Sequence, residues 1–508
     1  MKYDYVVVGA GCAGLSAACT LAKAGKKTLL IEKHNLPGGC ATGFTRGRFE
    51  FEPSLHELCS LGPKEDPGNV RTLLESFGVD INWKRVPDCF RVVSKYSDGG
   101  DMDVTMPAGK QEFIDAMEKY VPGCRKSIED MFEVFDEIDA GLIAASDETY
   151  PQQDLLKNFP NMLKVGSYSS KAVFDALKIP ARAQDILAVY WSYLGVDIEH
   201  LSFLHYASMV NSYIQKGAYI PAHTSHEISV SLVENFRKMG GEVLFNCKAE
   251  EFIFKGEKCV GVKTNMGTIE ADCVLANINP DIIYGSMMKN SLVPEREKKL
   301  SAARGKVLGG RMFTVYLGLN KSAEELGIKD YSIFLCSTAD SAKEYATLKH
   351  IDTDNYGIFL CYNVVNDEAS PEGTCICSFT TMFTDASDWN KVNEDNYVAT
   401  KELLAKRFIK SLKDKTGIDL MPYIEEISIA TPMTFARYIG VPEGSVYGYE
   451  TRDWDDIITR TMSMDKDYPI DGLIPIGTSG VRGDGYSSAY ACGQIMADFA
   501  MKKYGGNN

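Results

Sequence analysis

Gly9, Gly11 and Gly14, followed by an acid at Glu32, have the spacing that cradles a dinucleotide. Each glycine has its own task. Gly9 permits a tight turn, Gly11 lets backbone approach a pyrophosphate, and Gly14 lets a helix pack close to a sheet. The Glu32 carboxylate can accept hydrogen bonds from a ribose diol and would repel a 2'-phosphate, so the site does not suit NADP. The elements needed to hold these residues are present. The β-branched run Tyr3–Val8 reads as a buried parallel strand, Leu15–Ala24 as a small-residue helix closed by Gly25, and Lys27–Ile31 as a second strand. A helix starting near Leu15 turns free N–H groups and a positive dipole end toward phosphates. This unit alone fits NAD or FAD.

Three further blocks separate the two. Pro37-Gly38-Gly39-Cys40-Ala41-Thr42-Gly43-Phe44 and Gly47-Arg48-Phe49-Glu50-Phe51-Glu52 place a second glycine pair soon after the acid. Glu227–Met239 reads as a helix closed by Gly240-Gly241, with strands at Glu242–Phe245, Ala249–Phe254 and Val260–Thr264. Asp471–Gly477 reads as a strand ending at a glycine. Thr478-Ser479-Gly480-Val481-Arg482-Gly483-Asp484-Gly485-Tyr486 then leads into a helix from Ser487 to about Lys503. Together these blocks resemble the phytoene desaturase, carotenoid isomerase and retinol saturase-like FAD-dependent oxidoreductases of the amine oxidase-like flavoprotein superfamily. The segment EKHNLPGGCATGFTRGRFEFEPSLHELCSLG most resembles the carotenoid isomerase and retinol saturase branch. The resemblance covers nearly the whole chain but is specific mainly in these blocks, with a weaker match at Thr431–Tyr438.

What the resemblance implies is FAD held along its length. Gly9, Gly11, Cys12, Ala13 and Gly14 would face the pyrophosphate, Glu32 and Lys33 the ribose, and Ala249 the adenine. Gly38, Gly39, Cys40, Ala41 and Thr42 would lie beside the pyrophosphate and ribityl chain, Gly477 and Thr478 at the ribityl or pyrophosphate region, and Gly485, Tyr486 and Ser487 at the flavin end. A helix starting near Ser487 would point its positive end at the part of the ring that carries negative charge when reduced. The chain departs from the family pattern at Cys40 (usually Arg), Glu52 (usually Asp), Thr478 (commonly Asp) and His223, near which a glycine pair is usual.

Proton handlers are few, since the chain has seven histidines. His56 follows the block that the family aims at the flavin ring. His223, in Tyr219-Ile220-Pro221-Ala222-His223-Thr224-Ser225-His226-Glu227, has two readings. It could be an acid–base group at the site, with His226 a second candidate, or part of a capping loop with Thr224 or Ser225 as N-cap and Glu227 behind it. Tyr486 is expected to close over the ring or donate a proton. Arg482 and Arg437 could balance an anionic flavin or bind a substrate carboxylate. His34, His200, His205 and His350 read as structural, and Tyr190-Trp191-Ser192-Tyr193 as either a substrate-tunnel wall or a core helix.

Bulk properties exclude much else. The formal net charge is -15, so there is no basic face for nucleic acid and little attraction to anionic lipid. Fourteen cysteines without a dense framework read as free thiols in a reducing cytoplasm, and Cys375-Ile376-Cys377 as structural, with no metal expected. The chain starts at Met1-Lys2 and enters a strand at once, so no signal peptide is expected. No nucleophile elbow, zinc spacing or P-loop occurs. No second strand-GxGxxG-helix unit appears, so no resident NAD(P)H domain is expected, and an external electron donor becomes a candidate partner.

These readings give an α/β fold. A Rossmann-type FAD-binding domain assembles from residues 1–85, 216–290 and 440–508, and an inserted α+β substrate domain from 86–215 and 291–439. The first insertion reads as mostly helical, with runs at Lys110–Tyr120 and Asp185–Leu194. The second holds strands at Arg311–Leu319, Ser332–Leu335 and Ile358–Asn363 and a helix at Asn396–Lys413. The expected activity is FAD-dependent chemistry on C=C bonds of an apolar polyene, retinoid or unsaturated lipid-like substrate. Saturation or isomerisation is favoured over desaturation, in a cytoplasmic protein with at most transient membrane contact. The alternatives are an amine oxidase-type flavoprotein attacking a C–N bond and a non-catalytic flavin-binding accessory protein.

Overall fold

A computed structural model describes residues 2–146, 150–352, 357–450, 470–477 and 485–505. Two seven-stranded sheets organise it. The first is nucleated by the apolar run at the N-terminus: β1 (Lys2–Val8) lies between β2 (Thr28–Ile31) and β12 (Gly267–Ala276), both parallel to it. β9 (Glu242–Leu244) continues the parallel order beyond β2. Along its other edge β12 pairs first with antiparallel β11 (Lys258–Thr264), which carries β10 (Ala249–Lys255). It then pairs with parallel β18 (Leu473–Pro475). The ends of β1, β12 and β18 therefore come together, although they are hundreds of positions apart in sequence.

Small residues let two helices meet on this sheet. In α1 (Cys12–Lys23) every residue but Lys23 is buried. It packs against α8 (Tyr486–Tyr504), where a Cβ on Gly493 would stand 2.2 Å from the Ala13 carbonyl oxygen. The Ser16 hydroxyl donates to the Tyr490 carbonyl across that contact at 2.7 Å. α5 (His226–Lys238) covers α1 from another side.

The second sheet has the order β17 (Ile424–Ala430), β13 (Arg311–Leu319), β16 (Cys375–Phe383), β15 (Gly357–Cys361), β14 (Ser332–Leu335), β6 (Asp88–Lys95), β7 (Asp101–Pro107). Its period-2 alternation serves two cores. Phe313, Val315, Leu317, Cys375, Cys377 and Phe379 face one apolar cluster with α6 (Tyr397–Thr416). The other face turns to helices that include α2 (Lys110–Tyr120), α3 (Arg125–Ser146) and α4 (Phe203–Lys216). Two short ribbons complete the strands: β3 (Phe44–Arg46) with β4 (Phe49–Phe51), and β5 (Trp83–Val86) with β8 (Ala218–Pro221).

The segment after residue 86 is mostly helical but opens with the β6–β7 hairpin, which joins the second sheet at its edge. One expectation needs correcting. The run Asp185–Leu194 is two helices, Ala181–Ala188 and Trp191–Leu194, broken around Tyr190. Among the described residues no helix is long and apolar enough to cross a membrane.

Candidate active site

The loop after β1 and the turn after β18 meet on Asn277, the residue that follows β12. A Cβ on Gly9 would stand 2.7 Å from the Asn277 carbonyl oxygen, and one on Gly11 2.9 Å from its Nδ2. One on Gly477 would stand 2.4 Å from its Oδ1. Gly9 and Gly477 also have φ of +95° and +83°, which a side chain would strain. Asn277 had no motif to announce it; its signal was only the end of a third parallel strand, in Ala276-Asn277-Ile278-Asn279-Pro280.

A cavity of about 580 Å³ opens from this junction. Gly9, Gly11, Cys12, Ala13, Glu32, Lys33, Gly38, Gly39 and Cys40 line one end, together with Lys248 and Ala249. Two helices that reach it, α1 and α8, start at a glycine (Gly11 and Gly485) with no side-chain cap, so their first N–H groups are open to a ligand. Glu32 is buried and held by two backbone donors, Ala10 N–H at 2.7 Å and His34 N–H at 2.9 Å, which leaves its remaining lone pairs for a diol. Gly38 N–H donates to the Ala10 carbonyl and joins the second glycine pair to the first loop. Ala41 and Thr42 do not line the cavity: the Ala41 carbonyl accepts from Ser229 Oγ, and the Thr42 carbonyl from Ser225 Oγ. Gly485, Tyr486 and Ser487 do line it, and Ser487 Oγ donates to the Cys59 carbonyl. Thr478 and Arg482 lie outside the described residues. These features fit a dinucleotide cofactor: space where a Cβ would collide, two uncapped helix starts, and an anchored acid.

From there the cavity continues past Ser54–Ser60 to a recess lined by Leu142, Tyr193, Leu194, Leu204, His205, Met209 and Tyr213, with Met312, Thr314 and Thr380 from the second sheet. The loop between them is fixed by two devices. Glu52 is buried and accepts from Ser54 N–H, Leu55 N–H, Ser225 N–H (2.6 Å) and Ser225 Oγ (3.0 Å). Burial pushes its carboxyl up to about 7 against those bonds. Four tyrosine hydroxyls then donate to four carbonyls of the loop. Tyr316 reaches Pro53 (2.6 Å), Tyr362 reaches Leu55 (3.0 Å), Tyr331 reaches His56, and Tyr213 reaches Glu57 (3.3 Å). None of these tyrosines belongs to a recognisable motif.

The loop carries His56 and Glu57 into the cavity. His56 Nδ1 lies 3.2 Å from Tyr193 Oη, and Tyr193 donates to Glu57 Oε1 at 2.9 Å. Burial lowers His56 to about 4, so its ring is neutral at ordinary pH. Tyr486 bonds Ser54 Oγ at 2.8 Å, and burial holds its hydroxyl well above the ordinary range.

The other histidine expectations change. His223 is exposed and absent from the cavity wall; its N–H donates to Glu227 Oε2 at 3.3 Å, because the chain turns outward after β8 to start α5. His226 is half-buried and also off the wall. Ser225 is the N-cap residue of α5, but its hydroxyl makes no cap bond and serves Glu52 instead. His205, read as structural, lines the recess. Arg437 is exposed on α7 (Pro432–Ile439). Tyr193 lines the cavity, whereas Tyr190 and Trp191 pack in the core. All fourteen cysteines are free, and the Cys40 thiol is pushed up to about 11 by burial. Cys361 joins Cys375 and Cys377 in a buried trio on the far face of the second sheet, with ligand atoms within 4.8 Å of one another.

Residues 7–76 match the model of an NAD(P)-binding Rossmann-like domain. An all-trans-retinol 13,14-reductase of Danio rerio is 25% identical over 88% of this chain and 77% of its own length. Prolycopene isomerase 1 of an Oncidium hybrid cultivar is 23% identical over 99% and 85%. Among solved structures, putrescine oxidase bound to putrescine superposes with a TM-score of 0.63 at 15% identity, covering 99% of both chains. The fold is thus that of the putrescine oxidase structure, and the chain is an oxidoreductase similar to an all-trans-retinol 13,14-reductase and a prolycopene isomerase.

Proposed function

We propose that this protein is an FAD-dependent oxidoreductase acting on C=C bonds of an apolar polyene, retinoid or unsaturated lipid-like substrate. Saturation or isomerisation is favoured over desaturation. The observation that carries the reading is one continuous cavity, with a dinucleotide cradle at one end and an apolar, tyrosine-edged recess at the other. The named activities of the relatives, a retinol reductase and a prolycopene isomerase, agree with it.

FAD would lie along Gly9–Gly14, Glu32, Gly38–Cys40, Ala249, Gly477 and Gly485–Ser487, and when bound it supplies hydride exchange with a substrate carbon. The chain's own residues do the rest. Leu142, Leu194, Leu204 and Met209 exclude water and hold an apolar chain by contact alone. The pinned loop at Ser54–Glu57 fixes where that chain stops. Tyr193, His56 and Glu57 form a protonic edge beside it. No second dinucleotide motif is present, so reducing equivalents would come from an external electron donor. The free thiols suit a reducing compartment such as the cytoplasm, and any membrane contact is transient.

The test is an anaerobic spectrum. Photoreduced enzyme should be reoxidised on adding a retinoid or short polyene, with a product two hydrogens heavier. An amine oxidase would behave in the opposite sense, with putrescine bleaching the oxidised enzyme. Reoxidation by no polyene, together with bleaching by an amine, would replace this reading with the C–N one.

A further inference from the structure

Glu57 stands apart from the other buried acids at or beside the cavity. Glu32 is held by two backbone donors and Glu52 by four donors. Glu57 has one oxygen, Oε1, engaged by Tyr193, while Oε2 is buried on the cavity wall with no hydrogen-bond partner among the described residues. A buried, unpartnered carboxylate oxygen would cost several kcal/mol. A carboxylic acid whose carbonyl oxygen accepts from Tyr193 avoids that cost, and its O–H is left for a guest.

The groups facing it carry no positive charge to reverse this. Tyr190, Tyr193 and Tyr213 approach from the helical side, and Tyr331 and Tyr362 from the second sheet. Cys59 and Cys89 are the neighbouring thiols. His56, on the same loop, is neutral. Burial accordingly pushes the Glu57 carboxyl up to about 8, with the Tyr193 bond a smaller opposing influence.

We propose that Glu57 is the proton donor of the site, delivering the Oε2 proton to one carbon of an apolar substrate's C=C bond; this rests on the reading of the protein as a C=C oxidoreductase. The atoms balance as follows. The π bond breaks and two C–H bonds form, one from the hydride supplied by reduced FAD and one from Glu57. The alkene would be reduced by the two electrons of the hydride that bound, reduced FAD would supply, and Glu57 is left as a carboxylate. The Tyr193 hydroxyl then passes its proton to Oε1 and takes the one on His56 Nδ1 as His56 Nε2 takes one from solvent. Rotation of the Glu57 carboxyl returns the O–H to the Oε2 position, and the ring regains its first tautomer by exchange with solvent.

Glu57→Gln keeps the size and neutrality of the acid but has no transferable proton. Three measurements test it on the flavin-loaded protein. The infrared spectrum of the resting enzyme at pH 7 should show a protonated carboxyl band that Glu57→Gln removes. Single-turnover reoxidation of photoreduced enzyme by a retinoid should slow by about 100-fold or more. In wild type the rate should fall as pH rises through about 8, and Glu57→Gln should lack that limb. Tyr193→Phe, which removes the bond favouring the ionised form, should move the limb to higher pH while flavin content stays constant. An unchanged infrared band, or a Glu57→Gln rate within twofold of wild type, overturns the proposal and leaves the proposed function standing. A wild type that isomerises but does not reduce polyenes overturns the proposal alone, and one that does neither overturns both.

Discussion

At the scale of single residues, the glycines and acids of the cavity are informative because their neighbours leave no slack. A Cβ on Gly14 would stand 1.9 Å from the Gly9 carbonyl oxygen, which is backbone and cannot rotate away. Gly14→Ala should therefore displace the first loop, and the purified variant should hold little or no flavin by its visible absorbance. His223→Ala should leave both flavin content and turnover unchanged, since the side chain faces solvent. Glu57 and Glu52 have folded-state values of about 8 and about 7, above the ordinary unfolded value for glutamate. A raised value means their contribution is fully present below about pH 4.3 and is lost as pH rises through the folded values. Denaturant unfolding should thus show stability falling from pH 5 to pH 9. Glu57→Gln should be the more stable protein at pH 9, by on the order of a few kcal/mol.

At the scale of elements, the first thirty-odd residues were almost fully legible. A buried parallel strand, a small-residue helix and a second strand leave their marks in residue type, and β1, α1 and β2 lie where those marks fall. The adenine-side strands and the C-terminal helix could be read for the same reason. The β6–β7 hairpin was hidden because its pairing partners are β14 and itself, and edge strands with one charged face resemble exposed helix. The acid–base assignment drifted to His223 because sequence can show an unusual residue near a motif but not the direction of a turn. Glu57 was passed over since an acid beside a histidine looks ordinary until Tyr193 and a dry wall surround it. The four tyrosine anchors belong to this scale too. Tyr316→Phe or Tyr362→Phe each removes one buried hydrogen bond and should cost about 1 kcal/mol of stability. The larger effect should be on substrate affinity, read as a rise in KM with flavin content intact.

At the scale of the whole molecule, the two sheets share one cavity, and chemical reagents should report it. Of the fourteen free cysteines, Cys40 and Cys59 are partly exposed and the rest are buried. Both line the cavity, one at the cradle and one at the recess. Under native conditions a thiol reagent should label only these two, slowly. Retained flavin should protect Cys40, and a bound retinoid should protect Cys59. Rapid labelling of Cys361, Cys375 or Cys377 in the folded protein would mean that the far face of the second sheet opens in solution.

The pinned loop also sets an order of assembly. The Glu32–Ala10 contact that shapes the cradle spans only 22 positions of chain, whereas the tyrosines that seat Pro53, Leu55 and His56 lie 263, 307 and 275 positions away. A chain emerging from synthesis builds the start of its cofactor cradle long before the groups that aim His56 and Glu57 exist. The immature protein can begin to form a grip on a nucleotide, but it has no means of presenting a proton. Presentation of that proton waits on Tyr316, Tyr331 and Tyr362, all in the second half of the sequence.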